Sequence, residues 1–115
     1  MSPSDLRALV PAAAARSYEI SDHPTQLPIA EDPTLIYCKK LRRLEKVCVD
    51  RADLESYDTR GLQSYREAGV QVWVLVPLEE MGKAHARMRE SVDRIQPWWL
   101  DPDTRSIKFG SAELP

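Results

Sequence analysis

The sequence predicts a single α/β domain, a sandwich in which helices flank a mixed β-sheet, and three observations lead to this prediction. The run Val70–Val76 is apolar at both of its alternating sets of positions, which is typical of an interior strand covered on both faces. Helical patterns precede and follow this run, so strand and helix alternate along the chain. A length of 115 residues with 43% hydrophobic and 30% charged side chains fits one compact domain.

The first segment, residues 1–33, is predicted to be an N-terminal helix followed by a proline-rich connector. Ser2 as the N-cap and Pro3 in the first turn favour a helix that begins there, and Pro11 is expected to kink or restart it before Arg16. The connector holds three prolines that oppose regular helix and strand, namely Pro24, Pro28 and Pro33.

The core segment, residues 34–96, opens with a predicted hairpin. Leu35–Lys40 and Lys46–Asp50 are short runs rich in strand-forming residues, and a polar stretch joins them. A turn centred at Arg43 would place Cys38 opposite Cys48. A helix over the same residues remains open, because short apolar runs are ambiguous by periodicity.

The rest of the core is predicted to alternate helix, strand and helix. Thr59 can cap a helix that ends at Gly69, and the long connection into Val70–Val76 favours parallel pairing with the second hairpin strand. A helical stripe that stops at Pro97 follows, formed by Met81, Ala84 or His85, Met88, Val92 and Ile95. Residues 97–115 are predicted to form a C-terminal hairpin with a turn that begins at Asp101.

Cysteine content and hydropathy predict a cytoplasmic protein. Cys38 and Cys48 are too few for a disulfide framework, so we interpret them as reduced and mostly buried thiols. No stretch approaches the ~20 apolar residues of a membrane span, and no membrane partner is expected. The apolar stretch Ala8–Ala15 leaves a signal peptide open, although the residues before it are poorly basic.

The polar stretch between the two hairpin strands is strongly basic. Its five cations, which we call the basic tip, are Lys39, Lys40, Arg42, Arg43 and Lys46, and they accompany the single acid Glu45. They either keep a solvated hairpin end from pairing with other strands or contact nucleic-acid phosphates. The acids that follow are expected to repel a phosphate backbone; they are Asp50, Asp53, Glu55 and Asp58.

The stretch PTLIYCKK…EKVCVDRAD…LQSYREAGVQVWVLVP resembles the core of the restriction-endonuclease-like superfamily from Asp32 to about Pro77. In that superfamily a PD motif opens a hairpin, an (D/E)xK motif lies on its second strand, and a helix and a strand follow. Here Thr34 stands in place of the acid of the PD motif, and Cys48 and Asp50 stand where the second acid and the lysine are expected. The resemblance therefore implies a restriction-endonuclease-like core with degenerate motif residues.

An active site of this kind would make the protein an Mg-dependent nuclease. Phosphodiester cleavage with a divalent ion needs two or three oxygen ligands and usually a lysine near the attacking water. Asp32 and Asp50 are the candidate metal ligands and catalytic acids, and Lys46 is the candidate lysine. No acid in the run Lys46–Asp53 has a lysine two places on, so a domain without a cofactor is the preferred prediction.

Two adjacent tryptophans, Trp98 and Trp99, are candidates for an interface. Neighbouring residues on a strand point to opposite faces, so at most one of the two indoles is expected to be fully buried. One interpretation is a core tryptophan and a second that covers the last helix. The other is an exposed anchor for a protein partner or a second subunit, because tryptophan is enriched at interface hot spots.

Two classes of function follow from these observations. The first is a non-catalytic interaction module on a nuclease-like scaffold, which self-associates or docks to a larger protein. The second is a metal-dependent nuclease or a nucleic-acid-binding protein that uses the basic tip. A formal net charge of −2 and the missing motif residues favour the first class.

Overall fold

A five-stranded mixed β-sheet organises the computed structural model, which describes residues 3–16, 34–38, 41–56 and 59–115. The strands are β1 (Leu35–Cys38), β2 (Arg43–Val47), β3 (Gln71–Pro77), β4 (Arg94–Leu100) and β5 (Ile107–Phe109). The helices are α1 (Pro3–Arg16), α2 (Arg51–Ser56), α3 (Thr59–Glu67) and α4 (Met81–Met88), with a 3-10 turn at Leu78–Glu80. The chain is therefore an α/β domain with a mixed sheet.

The strands lie in the order β1-β2-β3-β4-β5, which is also their order in the chain. β2, β3 and β4 are parallel, whereas β1 and β5 pair antiparallel to their neighbours. The predictions of an interior strand near Val70–Val76, of parallel pairing with the second hairpin strand and of a terminal hairpin are thus confirmed. The restriction-endonuclease-like core stays a prediction.

Both faces of the sheet are covered, and the alternation along β3 shows how. Val72, Val74 and Val76 pack on the face that α2, α3 and α4 cover, which we call the three-helix face. Trp73 and Leu75 pack on the opposite face, which α1 covers and which we call the α1 face. Each face has its own apolar core, as expected for a strand that is apolar on both sides.

The hairpin has a different register from the predicted one. Cys38 pairs with Arg43, so the prediction that Cys38 lies opposite Cys48 is wrong, as is the helical alternative. Cys38 belongs to the core of the α1 face and Cys48 to that of the three-helix face. A register that differs by an odd number of residues turns side chains to the other face, so the two cores select the observed pairing.

The last helix is shorter than the sequence predicts. α4 ends at Met88, and Arg94–Leu100 forms β4, so a helix that runs to Pro97 is wrong. Asp93 starts the strand pairing, because its backbone N–H donates to the Val72 carbonyl at 2.7 Å and its Oδ2 accepts from the Val72 N–H at 2.8 Å. The apolar stripe continues past α4 because Val92 and Ile95 pack into the same core as α4, from a turn and a strand.

Helix boundaries elsewhere agree with the sequence at α3 and depart from it at α1. Gly69 follows α3 with a φ of 88°, the left-handed conformation predicted for it. α1 runs as one helix through Pro11, so the predicted restart is wrong. Arg51–Ser56 forms the helix α2, for which the sequence carries no prediction. No helix in the described ranges has both the length and the apolar character that a membrane crossing requires.

Pro97 lies inside β4 on the side that faces β5, where its carbonyl accepts a hydrogen bond from the Gly110 N–H at 2.9 Å. Its missing N–H falls between the β4–β5 pairing and an isolated bridge from Ile95 to Glu113, so the sheet tolerates it. The proline ring approaches Gly110 closely, and a Cβ at Gly110 would lie 2.8 Å from Pro97 Cγ.

We therefore expect Gly110→Ala to lower the free energy of unfolding by ~1–3 kcal/mol, because the new methyl group overlaps the Pro97 ring. Gly82→Ala is the matched control. A Cβ at Gly82 in α4 meets nothing within 4 Å, so that change should be neutral or stabilising by up to ~1 kcal/mol. Urea unfolding of both variants measures the effect, and equal stability of the two would contradict the proposed packing.

Candidate functional site

Asp50 lies where β2 gives way to α2, and its carboxylate caps that helix. Asp50 Oδ1 accepts a hydrogen bond from the Asp53 N–H at 2.9 Å. Asp53 in turn accepts one from the Val49 N–H at 2.8 Å through Oδ2. Asp50 thus satisfies an N–H group of the first turn of α2, and Asp53 reaches back to the N–H of the residue before Asp50.

The same two carboxylates bind a side chain of α1. Arg7 Nη2 lies 3.0 Å from Asp50 Oδ2, and Arg7 Nη1 lies 3.2 Å from Asp53 Oδ2. Both oxygens of Asp50 are therefore occupied, one by a backbone N–H and one by a guanidinium. A divalent ion at Asp50 would have to displace Arg7, so the residues at this position do not fit a magnesium ion in the arrangement shown.

The predicted partner of Asp50 in that site, Asp32, lies outside the described residues, so their convergence stays a prediction. Lys46, the candidate catalytic lysine, donates to Thr34 Oγ1 at 2.6 Å. Within ranges 3–16, 34–38, 41–56 and 59–115, no three His, Cys, Asp or Glu side chains are grouped so that they could hold a metal ion.

The basic tip divides into residues with different surroundings. Lys39 and Lys40 lie outside the described residues. Arg42 is exposed at the start of the turn into β2. Arg43 stacks on Trp73, with its guanidinium carbon 3.8 Å from the ring centroid. Arg43 and Lys46, which donates to Thr34, therefore have roles within the fold, and Arg42 is the described cation most open to solvent.

Glu45 is a buried carboxylate whose burial the sequence alone does not reveal. It is 3% exposed, and its Oε2 lies 3.2 Å from Arg43 Nε. Burial raises the pKa of Glu45 to about 8, while the neighbouring guanidinium favours the ionised form. Its position in register with Ile36 and Trp73 on the α1 face would have been visible only from the correct hairpin register.

The aspartates that follow β2 have surroundings different from those of Arg43. Arg43 is the first residue of β2, and Asp50 lies three positions beyond its last residue, Val47. Asp50 and Asp53 are also paired with Arg7, which makes them poor sources of repulsion at the tip.

The two tryptophans differ in burial, as predicted. Trp98 is 4% exposed in the core of the α1 face, and its Nε1 donates to the Cys48 carbonyl at 2.9 Å. Trp99 is 36% exposed and points to the three-helix face. Leu78, 51% exposed, directly follows Pro77, which is the register partner of Trp98. Trp99 and Leu78 are therefore two large apolar side chains that the fold leaves exposed.

An open cleft of about 390 Å³ lies at the opposite end of the sheet. It is lined by Gln63, Arg66, Glu67, Gly69, Val70, Gln71 and Asp93. Arg66 forms an ion pair with Asp93 at 3.3 Å and donates to the Glu90 carbonyl at 2.6 Å. Arg66 and Asp93 therefore have partners within the fold.

The fold and these sites define a small α/β domain with a five-stranded mixed sheet, a capped and ion-paired aspartate pair, and an exposed tryptophan near one edge strand. The chain matches no protein family, no curated protein and no solved structure in the three comparisons made.

The buried carboxyl of Glu45 predicts a specific dependence of stability on pH. Its folded-state pKa of about 8 lies above the ordinary value of 4.5, so its contribution to stability is full below pH 4.5 and is lost as the pH rises toward 8. We expect Glu45→Gln to gain stability relative to the wild type over this range by more than ~1.4 kcal/mol, the value of one pKa unit.

Urea unfolding of both proteins at several pH values measures this difference. Glu67→Gln, which removes the same charge at an exposed position of α3, is the control. A difference for Glu45→Gln that stays constant between pH 4.5 and 8 would contradict the effect of burial, and a trend of the opposite sign would show that the ion pair with Arg43 outweighs it.

Proposed function

We propose that this domain is a non-catalytic protein-interaction module, built on a nuclease-like scaffold, that self-associates through the β4–β5 edge around Trp99. The observation that carries the proposal is the exposed indole of Trp99 beside the three-residue edge strand β5. A second copy of the chain is the proposed partner.

The edge of β5 supports pairing with a second copy. The Gly110 N–H donates to the Pro97 carbonyl and the Asp101 N–H donates to the Ser106 carbonyl, so the backbone of Ser106 and Gly110 faces β4. By alternation, the backbone groups of Ile107 and Phe109 point away from β4. Two such edges can pair about a two-fold axis, which gives a closed dimer.

Trp99 supplies the side-chain contact that such a dimer needs. Tryptophan buries a large rigid surface and is enriched among the residues that dominate interface energetics. Trp99 pairs in register with Lys108 of β5, so it lies directly beside the edge strand. Two-fold pairing of β5 would bring both indoles to the same contact region.

The charged side chains support the non-catalytic part of the proposal. The carboxylates of Asp50 and Asp53 cap α2 and bind Arg7, and Lys46 donates to Thr34. Groups held in this way stabilise the fold and are poorly placed to bind a metal or activate water. The nuclease-like scaffold rests on the sequence resemblance from Asp32 to Pro77.

Sedimentation velocity over a range of protein concentrations tests the proposal. We expect the wild type to form dimers and Trp99→Ser to remain monomeric, because the indole is lost from the contact. Leu41→Ser is the matched control, since Leu41 is 48% exposed on the turn between β1 and β2, away from β5. A monomeric wild type at all concentrations, or dimers of Trp99→Ser, would contradict self-association through this edge.

The alternative function is nucleic-acid binding at the basic tip with or without Mg-dependent cleavage, and the observation that favours it is the exposed side chain of Arg42. We expect no binding of duplex DNA at physiological salt, because Arg43 and Lys46 have partners within the fold. Arg42→Ser measured against Arg89→Ser, at an exposed position after α4, provides the test. Wild-type binding whose salt slope falls by ~0.9 in Arg42→Ser alone would establish phosphate contact at the tip.

A further inference from the structure

The edge that β5 offers to a second copy is short, and the turn that follows β4 sets its first boundary. The Arg105 N–H donates to the Asp101 carbonyl at 2.8 Å, and Arg105 has a left-handed φ of 56°. A residue in this conformation does not continue a strand. Regular pairing along this edge therefore begins after Arg105.

A bulge sets the other boundary. The Gly110 N–H bonds to the Pro97 carbonyl, and Glu113 bridges to Ile95. Three steps along the outer segment, from 110 to 113, thus match two steps along β4, from 97 to 95. An extra residue of this kind interrupts the ladder and bends the strand. The regular edge is therefore confined to Ile107–Phe109.

Lys108 is the central residue of this edge. It pairs with Trp99, so its backbone faces β4, whereas the backbone groups of Ile107 and Phe109 point outward. A two-fold axis that uses both outward residues pairs Ile107 with Phe109 of the second copy. The same axis places Lys108 directly opposite Lys108 of the second copy.

This arrangement brings two like charges together. Lys108 is exposed in the monomer, and across the axis it would form a non-hydrogen-bonded pair, in which side chains lie closest. Like charges directly opposite each other destabilise strand pairing. A hydrogen bond from the Asp103 N–H lowers the pKa of Asp101, and nearby Lys108 adds to this effect. Asp101 follows β4, one strand further from the second copy, so it offsets only part of the repulsion.

We propose that Lys108 regulates self-association by charge repulsion, so that the dimer formed through β5 is weak at low ionic strength and tightens as salt screens the two lysines. This inference rests on the proposed function and adds how that association is regulated. Salt shortens the Debye length from ~30 Å at about 0.01 M to ~3 Å at about 1 M, which removes repulsion between exposed charges. An association held by ion pairs would respond in the opposite direction.

Sedimentation velocity of the full chain at several NaCl concentrations tests this regulation. We expect the dissociation constant of the wild-type dimer to fall as NaCl rises from about 0.01 M to about 1 M. Lys108→Gln should dimerise about 2–5-fold more tightly than the wild type at the lowest salt concentration, and should respond less to salt.

Lys83→Gln is the matched control. Lys83 is exposed on α4, so this substitution changes the net charge of the chain by the same amount and leaves β5 unaltered. The net charge of −2 becomes more negative in both variants, which by itself opposes association. Lys83→Gln should therefore not tighten the dimer, and tightening by Lys108→Gln identifies a local repulsion at the axis.

Charge reversal provides an independent test. Lys108→Glu again places like charges across the axis, so alone it should dimerise weakly at low salt. An equimolar mixture of Lys108→Glu with the wild type should associate more tightly than either protein alone, because opposite charges then meet at the axis. This advantage should shrink as salt is added.

The possible failures are distinguishable. Wild-type dimers that Trp99→Ser abolishes, but whose salt response is unchanged in Lys108→Gln, would overturn the regulation and leave the proposed function standing. A mixture with Lys108→Glu that associates no more tightly than its components would also overturn it. A wild type and a Lys108→Gln variant that are both monomeric at every salt concentration would overturn self-association itself.

Discussion

β3 is apolar on both faces, since Val72, Val74 and Val76 pack into one core and Trp73 and Leu75 into the other. A strand of this kind must lie between two neighbours and under two layers. Because both neighbours are parallel to it, each connection has to return over one face of the sheet, and here it does so through helices. Both crossings use the same face, which leaves α1 to cover the other. The layer arrangement of the domain follows from this one strand.

The same layer arrangement determines where the polar side chains of β2 and α2 lie. β2 runs parallel to β3, so the start of β2 lies at one end of the sheet and α2 begins at the other. Arg43 and Glu45 consequently pair on the α1 face near the start of the strand, and Asp50 caps α2 beyond its end. Arg43 and Asp50, which are close in sequence, therefore lie at opposite ends of β2.

Short sequence patterns predicted the elements that depend on neighbouring residues. Elements whose position depends on tertiary contacts were not predicted correctly. β3 and the turn at Gly69 each have a signal within a few residues, and both are as predicted. The hairpin register depends on which of the two cores each residue enters, and a short stretch of sequence does not carry that information. The first residues of β4 were assigned to a helix because Ile95 joins the same core as Met88, so an apolar stripe with helical spacing spans a helix and a strand. The burial of Glu45 could not be predicted either, because it depends on the hairpin register.

The sheet separates the domain into two apolar cores. Cys38 and Cys48 lie near each other in the chain, yet the sheet lies between their side chains, so a disulfide between them would require the hairpin to change register. The hydrogen bond from Trp98 to the Cys48 carbonyl fixes β4 to the end of β2 from the α1 face. The next residue, Trp99, lies on the opposite face of the same strand. Its partly exposed indole therefore projects from a strand that Trp98 anchors to the end of β2.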